Sequence, residues 1–155
     1  MSAVRDCIGC DVIAGRIKPP GGVICQDTHW MATHALPSPE VPLRGLLVLQ
    51  PKRHVEELSE LTPQEAIALG PLLRRLSSAM QQALRPERIY ACSLGEGIKH
   101  VHFLLLPRGE TMPQNGADVL REVIDERLWT CSVSQAENAV EAIRVALGES
   151  VLEST

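Results

Sequence analysis

Short apolar runs alternate with polar, glycine-rich or proline-rich turns along most of the chain. Runs of this length, bounded by turn residues, are typical of strands. The predicted strands cover residues 23–26, 30–35, 46–49, 89–94 and 99–106. The last two are separated by Gly95-Glu-Gly97 and therefore predict a hairpin of adjacent strands. The proline-rich stretch 37–42 is unsuited to an interior strand and predicts a surface loop.

One long segment instead has the spacing of a helix. Thr62-Pro63-Gln-Glu65 combines a capping-box pattern with proline at the first helical position, and apolar residues then recur at helical spacing, at Leu69, Leu72, Leu73, Leu76, Met80 and Leu84. Pro71 lies inside this helix and predicts a kink. Shorter helices are predicted at 7–14, at 117–128 and from a Ser134-Gln-Ala-Glu137 capping pattern to residue 147.

Strands and helices are segregated along the chain, which favours an α+β domain with an antiparallel sheet over a doubly wound one. The 155 residues, 45% of them hydrophobic, are enough for one substantial core and too few for two full domains. We therefore expect one compact unit, in which residues 109–155 form a helical extension packed on the domain built by residues 1–108.

Composition narrows the range of partners. The formal net charge is −4 with no basic cluster, so a nucleic-acid polymer is not expected as a partner. No stretch approaches the roughly 20 apolar residues of a membrane span. Five cysteines is an odd number, and only Cys7 and Cys10 are closely spaced, which argues against a secreted disulfide framework. A soluble, cytoplasmic protein is expected.

Two histidines two residues apart form the most informative pattern. If residues 99–106 are a strand, His100, His102 and Leu104 share one face. Imidazoles inside an apolar strand cost desolvation unless something uses them, although two hydrogen-bonded core histidines would fit equally well. The pair Cys7 and Cys10 could likewise hold half of a tetrahedral metal site, form a redox pair or be merely structural.

Three segments together resemble the histidine triad family. The sequence His100-Val-His102-Phe-Leu104-Leu-Leu-Pro-Arg is similar to the family signature, in which histidines alternate with apolar residues and a Pro-Arg pair follows. Cys7-Ile-Gly-Cys10-Asp-Val-Ile-Ala-Gly resembles the zinc-bearing N-terminus of family members. Leu-Leu-Val-Leu-Gln-Pro-Lys-Arg-His54-Val resembles their central strand and the turn after it. The order and separation of the segments agree, and the resemblance ends near residue 108.

The resemblance implies a five-stranded antiparallel sheet in each protomer, a homodimer, and chemistry on phosphorus. In the family, the middle histidine attacks the α-phosphate of a nucleotide derivative and forms a nucleotidyl-histidine that water then hydrolyses. The corresponding residue here is His102. It requires a neutral imidazole with one nitrogen free to attack and the other N–H held by an acceptor. The expected substrates are phosphoramidates, phosphate esters or dinucleoside polyphosphates.

The resemblance also implies a zinc site. In zinc-bearing relatives, the ligands correspond to Cys7, Cys10, His54 and His100, and all four residue types are present here. A closed Cys2His2 set is typical of structural zinc rather than catalytic zinc.

The chain departs from the family pattern around the expected substrate. Leu104 replaces the third histidine, and the loss of one such donor typically slows a reaction by about 100- to 1000-fold. Ser38 stands where relatives carry a ribose-binding aspartate. Gly95 and Gly97 replace polar phosphate contacts, although their backbone N–H groups could still cradle an anion; a plain turn is the alternative.

Three functional interpretations remain open at this point. The first is a slow or specialised nucleotide hydrolase or nucleotidyl transferase that uses His102. The second is a catalytically impaired, zinc-stabilised module that binds a nucleotide, another phosphate or a protein. The third is a structural dimer without a small-molecule ligand, whose C-terminal helices form the interaction surface.

Overall fold

A computed structural model of the protein describes residues 6–148. Residues 1–5 of the predicted domain and residues 149–155 of the predicted helical extension lie outside the described residues. Four α-helices, α1 to α4, span Ile8–Ile13, Pro63–Leu84, Gly116–Leu120 and Val133–Leu147. Seven strands, β1 to β7, span Val23–Gln26, Trp30–His34, Val41–Pro42, Leu47–Pro51, Arg88–Cys92, Phe103–Arg108 and Thr130–Cys131.

Five of the strands form one antiparallel sheet in the order β1-β2-β4-β6-β5. This arrangement confirms the predicted α+β class and the five-stranded sheet. Side chains alternate between the two faces along the central strands. Leu47 and Leu49 on β4 are fully buried in the core under the helices, whereas Val48 between them is only partly buried and packs in the opposite layer.

Helices α2 and α4 cover the first face of the sheet. Thr62 caps α2 and forms the predicted capping box with Glu65, and the helix continues through Pro71 to its end at Leu84. Leu76 of α2 and Val140 and Ile143 of α4 are completely buried in the same apolar core. The segment after Arg108 therefore supplies part of the core that the sheet rests on.

The second face is covered only in part. A smaller apolar cluster lies there. It contains Leu46, just before β4, and Leu106 of β6, together with Val119 of α3 and Val123 of the turn after α3. Beside it, β3 pairs with β7 in a separate two-stranded sheet. The part of the second face over β2, β4 and β6 is left open and forms the floor of a cavity.

The predicted hairpin is wrong at its inner ends. Pairing between β5 and β6 stops at Cys92 opposite Leu104, and residues 93–102 form an irregular connection rather than strand. The Val101 N–H donates instead to the Val55 carbonyl at 2.7 Å, which draws the chain away from β5. His100 therefore does not share a strand face with Leu104, as the predicted alternation required.

Two helix boundaries also differ from the prediction. Ser132 caps α4 through the Gln135 N–H, two residues before the predicted Ser134, because β7 ends at Cys131 and the chain turns at once. The helix predicted over 117–128 is α3 followed by a π-helical turn, Arg121–Asp125. No helix among the described residues is long and apolar enough to cross a membrane.

Candidate functional site

Four potential metal ligands meet at the start of helix α1. Cys7 caps α1 and Cys10 lies in its first turn, while His54 follows β4 and His100 precedes β6. One ligand atom from each of the four lies within 4.8 Å of the other three. The fold thus brings together the whole set implied by the sequence resemblance, from positions up to 93 residues apart.

The distances within this cluster fit a tetrahedral ion. Nδ1 of His100 lies 3.4 Å from Sγ of Cys7 and 3.7 Å from Sγ of Cys10, and Nδ1 of His54 lies 3.4 Å from Sγ of Cys10. Zinc bonds of about 2.0–2.3 Å give a tetrahedron with edges of roughly 3.3–3.8 Å. The cluster can therefore hold one such ion with little rearrangement.

Both imidazoles of the cluster are oriented through their second nitrogen. Nε2 of His100 lies 2.8 Å from the Pro51 carbonyl oxygen, and Nε2 of His54 lies 3.4 Å from a carboxylate oxygen of Glu56. An acceptor on the second nitrogen keeps the proton there and leaves Nδ1 as the ligand atom. Glu56 was missed in the sequence analysis, although its place two residues after His54 allows this contact.

Protonation of the cluster follows from burial. Burial, followed by the neighbouring Cys7 group, raises the pKa of the Cys10 thiol to about 11 in the absence of an ion. Burial lowers the pKa of His100 below its usual value, so this imidazole is held neutral. A divalent cation that binds as a thiolate complex would displace the Cys10 proton.

A glycine permits the close packing of α1 on this cluster. A Cβ on Gly9 would lie 2.8 Å from Cγ and Nδ1 of His100 and 3.0 Å from Oε1 of Gln50. Real Cβ atoms do not approach neighbours this closely. The middle of the Cys7-Ile-Gly-Cys10 motif is therefore constrained by shape, a requirement that the spacing of the cysteines alone did not indicate.

His102 lies beside the cluster and is held by the backbone of its neighbour. Its Nδ1 lies 2.7 Å from the His100 carbonyl oxygen. A carbonyl can only accept, so Nδ1 carries the proton and Nε2 of the neutral ring keeps its lone pair. No hydrogen bond to Nε2 is formed by any group within residues 6–148. This arrangement supplies the acceptor that the sequence could not reveal.

The His102 side chain lines a cavity of about 310 Å³ on the open face of the sheet. Its floor is a row of three residues in register across neighbouring strands, Thr33, Val48 and Leu104. Gln50, two residues after Val48 on β4, and His102, just before β6, close one end of this floor. The cavity is consequently more apolar than polar, and Leu104 lies directly beside the histidine.

The remaining predicted residues occupy different surroundings. Ser38 lies at the edge of the cavity. Gly95 has a left-handed backbone with φ of 90°, as an anion nest requires, but neither it nor Gly97 lines the His102 cavity. Gly97 instead lines a groove beside His54, so contact between these glycines and a substrate stays a prediction.

Two residues of the cavity wall were not identified from the sequence as part of a site. His34 is completely buried, donates from Nδ1 to the Ala35 carbonyl at 2.9 Å and accepts the Gly45 N–H at 3.0 Å; burial lowers its pKa. Arg127 enters from the C-terminal segment and donates to the Ser38 carbonyl at 2.6 Å. No sequence signal linked Arg127 to Ser38, because 89 residues separate them and no motif contains Arg127.

Comparison of the structure with solved structures gives a consistent result. A hypothetical histidine triad nucleotide-binding protein of Sulfolobus tokodaii superimposes with a TM-score of 0.71 at 17% identity, over 92% of each chain. A zinc-bound histidine triad protein of Mycobacterium smegmatis gives 0.68 at 16% identity, over 92% of this chain and 94% of that one. A Hit-like protein of Bartonella henselae gives 0.68 at 16% identity, over 94% and 99%.

The protein therefore has the fold of the histidine triad proteins, and the resemblance recognised in its sequence is confirmed at the level of the fold. Its Cys2His2 cluster has the composition of a zinc site. No family model and no curated protein sequence matches the chain.

Proposed function

We propose that the protein is a histidine triad type hydrolase or nucleotidyl transferase that acts on a nucleotide derivative through a covalent intermediate on His102. The observation that carries this proposal is the 2.7 Å hydrogen bond from His102 Nδ1 to the His100 carbonyl, which leaves Nε2 unprotonated in a residue that lines a cavity. The nucleotide-binding description of the Sulfolobus tokodaii protein with the same fold supports the substrate class.

The proposed reaction has two displacements at phosphorus. The Nε2 lone pair attacks the α-phosphorus, and the bond from phosphorus to the leaving group breaks with its electron pair on that group. Water then attacks the same phosphorus, and the bond to Nε2 breaks with its electron pair on the nitrogen. One proton of the water passes to solvent, and a mononucleotide and a neutral imidazole remain. The Nδ1 hydrogen bond to the His100 carbonyl stabilises the positive charge on the ring in the intermediate.

Leu104 restricts which leaving groups can depart. It lies where the family pattern places a third histidine, and an alkyl side chain can neither donate a hydrogen bond nor supply a proton. No aspartate or glutamate lines the cavity among the described residues. We therefore propose that the substrate carries a leaving group stable as an anion, such as a phosphate in an anhydride, rather than an alkoxide or an alkyl amide.

We further propose that zinc binds Cys7, Cys10, His54 and His100 as a structural ion. Four protein ligands would complete its coordination and leave no position for substrate. Its effect on the reaction would be indirect, because the carbonyl that orients His102 belongs to the ligand His100. The zinc-bound Mycobacterium smegmatis protein of the same fold supports the choice of metal.

Capture of the intermediate tests the mechanism. Incubation with an adenosine 5′-phosphate ester of a nitrophenol, followed by intact-protein mass spectrometry, should show the mass of one adenylyl group on the wild-type chain. His102→Ala should show none. The control His29→Ala should label normally, because within residues 6–148 only the backbone groups of His29 form hydrogen bonds and its side chain does not line the cavity. Equal turnover by wild type and His102→Ala would reject the mechanism.

The same samples distinguish the binding-module interpretation. Leu104 is the observation in its favour, because it removes a catalytic group while keeping the cavity. Tight nucleotide binding by calorimetry, together with no adduct and no turnover over hours, would support a binding module instead.

A homodimer is also proposed, on the strength of the family resemblance. Strand β5 lies at the edge of the sheet and pairs on one side only within the described residues. An unpaired edge of this kind can join the sheet of a second copy. Sedimentation equilibrium at micromolar concentration should give twice the chain mass, and a monomer mass would reject the dimer.

A further inference from the structure

Among residues 6–148, a single lysine or arginine side chain, that of Arg127, lines the His102 cavity. Arg127 donates from Nη1 to the carbonyl of Ser38 at 2.6 Å and to its hydroxyl at 3.3 Å. Its backbone is left-handed, with φ of 51°, which is uncommon for a residue with a Cβ. The chain reverses here after the π-helical turn, and this reversal places the guanidinium at the cavity edge.

The charge of the cavity wall is set by this one residue. Of the residues that line the cavity, Arg127 alone carries a formal charge when histidines are counted as neutral. Within the described part of the chain, no carboxylate forms an ion pair with it. In a protein with a formal net charge of −4, the described lining of this cavity thus carries one positive charge and no negative one. A lining of this charge favours an anionic group on the ligand.

Arg127 and His102 lie at opposite ends of the cavity. One face of β4 carries Val48 and Gln50, and Leu46, the residue just before the strand, continues the same row. At the other end of the row, Gln50 adjoins His102. Arg127 also lines the neighbouring depression, which lies at the Leu46 end of this row. At about 3.3 Å per residue, the row is about 13 Å long. Arg127 therefore lies on the side of the cavity away from His102, where it would contact a part of the ligand other than the phosphate that His102 attacks.

We propose that Arg127 determines specificity for a nucleotide with a second phosphate on its ribose, at the 2′ or 3′ position. The inference rests on the proposed function, which places the 5′-phosphate at His102. In dinucleotide-binding folds a carboxylate binds the free ribose diol, whereas an arginine accommodates a ribose phosphate, and the same chemistry applies to this cavity. This cavity has the arginine and lacks the carboxylate among its described lining residues. The guanidinium can pair with the second phosphate while Nη1 stays bound to Ser38.

Calorimetric titration with three adenosine ligands tests this assignment: the 5′-monophosphate, the 3′,5′-bisphosphate and the 2′,5′-bisphosphate. The wild-type chain should bind one of the bisphosphates at least about 10-fold more tightly than the monophosphate, an effect equal to about 1.4 kcal/mol. Arg127→Gln should reduce the ratio of bisphosphate affinity to monophosphate affinity to about one. Arg127→Lys, which keeps the charge but not the planar fork, should retain part of the ratio.

The control is Arg121→Gln, in the same segment. Arg121 is exposed, pairs with Asp118 and Glu126 and does not line the cavity, so its loss should leave the ratio unchanged. If Arg127 only fixed the Ser38 loop, Arg127→Gln would weaken all three ligands equally and preserve the ratio, which would overturn the inference. A wild-type ratio near one, or no detectable binding of any ligand, would also overturn it.

The proposed function fails or holds on a separate readout. The adenylyl adduct on His102 requires only the 5′-phosphate and forms with a substrate that has a free ribose. A normal adduct with no bisphosphate preference would reject the role of Arg127 and retain the catalytic mechanism. A clear bisphosphate preference that depends on Arg127, with no adduct, would retain the ligand class and reject catalysis.

Discussion

The main chain of His100 binds the side chain of His102: the His100 carbonyl oxygen accepts the Nδ1 proton of His102 at 2.7 Å. The side chain of His100 turns the other way, into the Cys2His2 cluster, with Nδ1 3.4 Å from Sγ of Cys7. One residue therefore contributes its side chain to the candidate metal site and its backbone to the candidate nucleophile. A shift of His100 on loss of the ion would move the acceptor that fixes the His102 tautomer.

Leu104→His should restore the missing donor. If the cavity retains the rest of the reaction machinery, the variant should hydrolyse adenylyl esters of poor leaving groups about 100- to 1000-fold faster than the wild type. Esters of nitrophenols should gain much less, because they need little assistance. The measurement is steady-state turnover over a series of leaving groups, with Leu104→Met as an apolar control. An equal gain for every ester would contradict the assigned role.

Removal of zinc should lower stability and disturb His102. With free zinc about 1000-fold above its dissociation constant, binding to the folded state stabilises it by about 4 kcal/mol. For a chain of this size, that corresponds to a fall of roughly 8–16 °C in the unfolding midpoint on chelation. Cys10→Ser should show the lower midpoint with or without chelator, whereas the control Cys92→Ser, on the edge strand β5, should respond to chelator like the wild type. Metal analysis that finds no zinc in the wild type would contradict the site.

Gly9→Ala should disrupt the cluster without removing a ligand. The added methyl group would lie 2.8 Å from the His100 ring, which the Pro51 carbonyl fixes on its other side, so α1 must shift outward. We expect a loss of about 1–3 kcal/mol in unfolding free energy and weaker zinc retention. Gly70→Ala is the matched control, since a Cβ there meets no atom within 4 Å and alanine favours the helix. Unchanged zinc retention in Gly9→Ala would show that the contact is not restrictive.

Glu65 should make part of the stability depend on acidity. Its carboxylate accepts two hydrogen bonds from Arg53, at 2.8 and 3.0 Å, and one from the Thr62 N–H, and the Arg53 bond contributes most to a pKa of about 2. The pKa is lower in the folded state than in the unfolded chain, so the stabilisation is complete above about pH 4.5 and is lost as the pH falls towards 2. Because Arg53 is half-exposed, solvent screening limits the stabilisation from the Glu65 carboxylate to about 2 kcal/mol.

Urea unfolding at pH 6 and pH 3 measures this effect. Between these values Glu65→Gln should lose about 1–1.5 kcal/mol less than the wild type, because part of the Glu65 contribution remains at pH 3. The control Glu141→Gln removes a half-exposed carboxylate that pairs with Arg144, and it should follow the wild-type pH dependence because an ion pair with an exposed carboxylate contributes little. The same pH dependence in Glu65→Gln and the wild type would contradict the assignment.

Local patterns were sufficient for most of the fold. Periodicity and caps located helix α2, because Thr62, Pro63 and Glu65 act within one turn of the chain. They failed for residues 93–102, where the path is set by contacts with distant residues: the Val101 N–H bonds to Val55, and His100 turns towards Cys7. No strand periodicity encodes such contacts.

The candidate site was predictable only as far as its motifs extend. The four cluster residues lie in the three segments that carried the resemblance, and the structure brings them together. Arg127 lies outside those segments and reaches the cavity through a left-handed backbone turn, and neither its partner Ser38 nor the turn is signalled by neighbouring residues. Strand alternation also placed the His100 and His102 side chains on one face. In the structure they lie in different surroundings, because β6 begins only at Phe103.

The small sheet of β3 and β7 has a consequence for the order of assembly. It pairs Pro42 and Thr130, and the Cys131 thiol donates to the Pro42 carbonyl across 89 residues of sequence. Closing so long a loop costs conformational entropy that neighbouring strands do not incur. The candidate metal cluster closes a still longer loop, 93 residues from Cys7 to His100. By the same argument, both this cluster and the cavity wall that carries Arg127 are expected to form after β1 pairs with β2 and β5 pairs with β6.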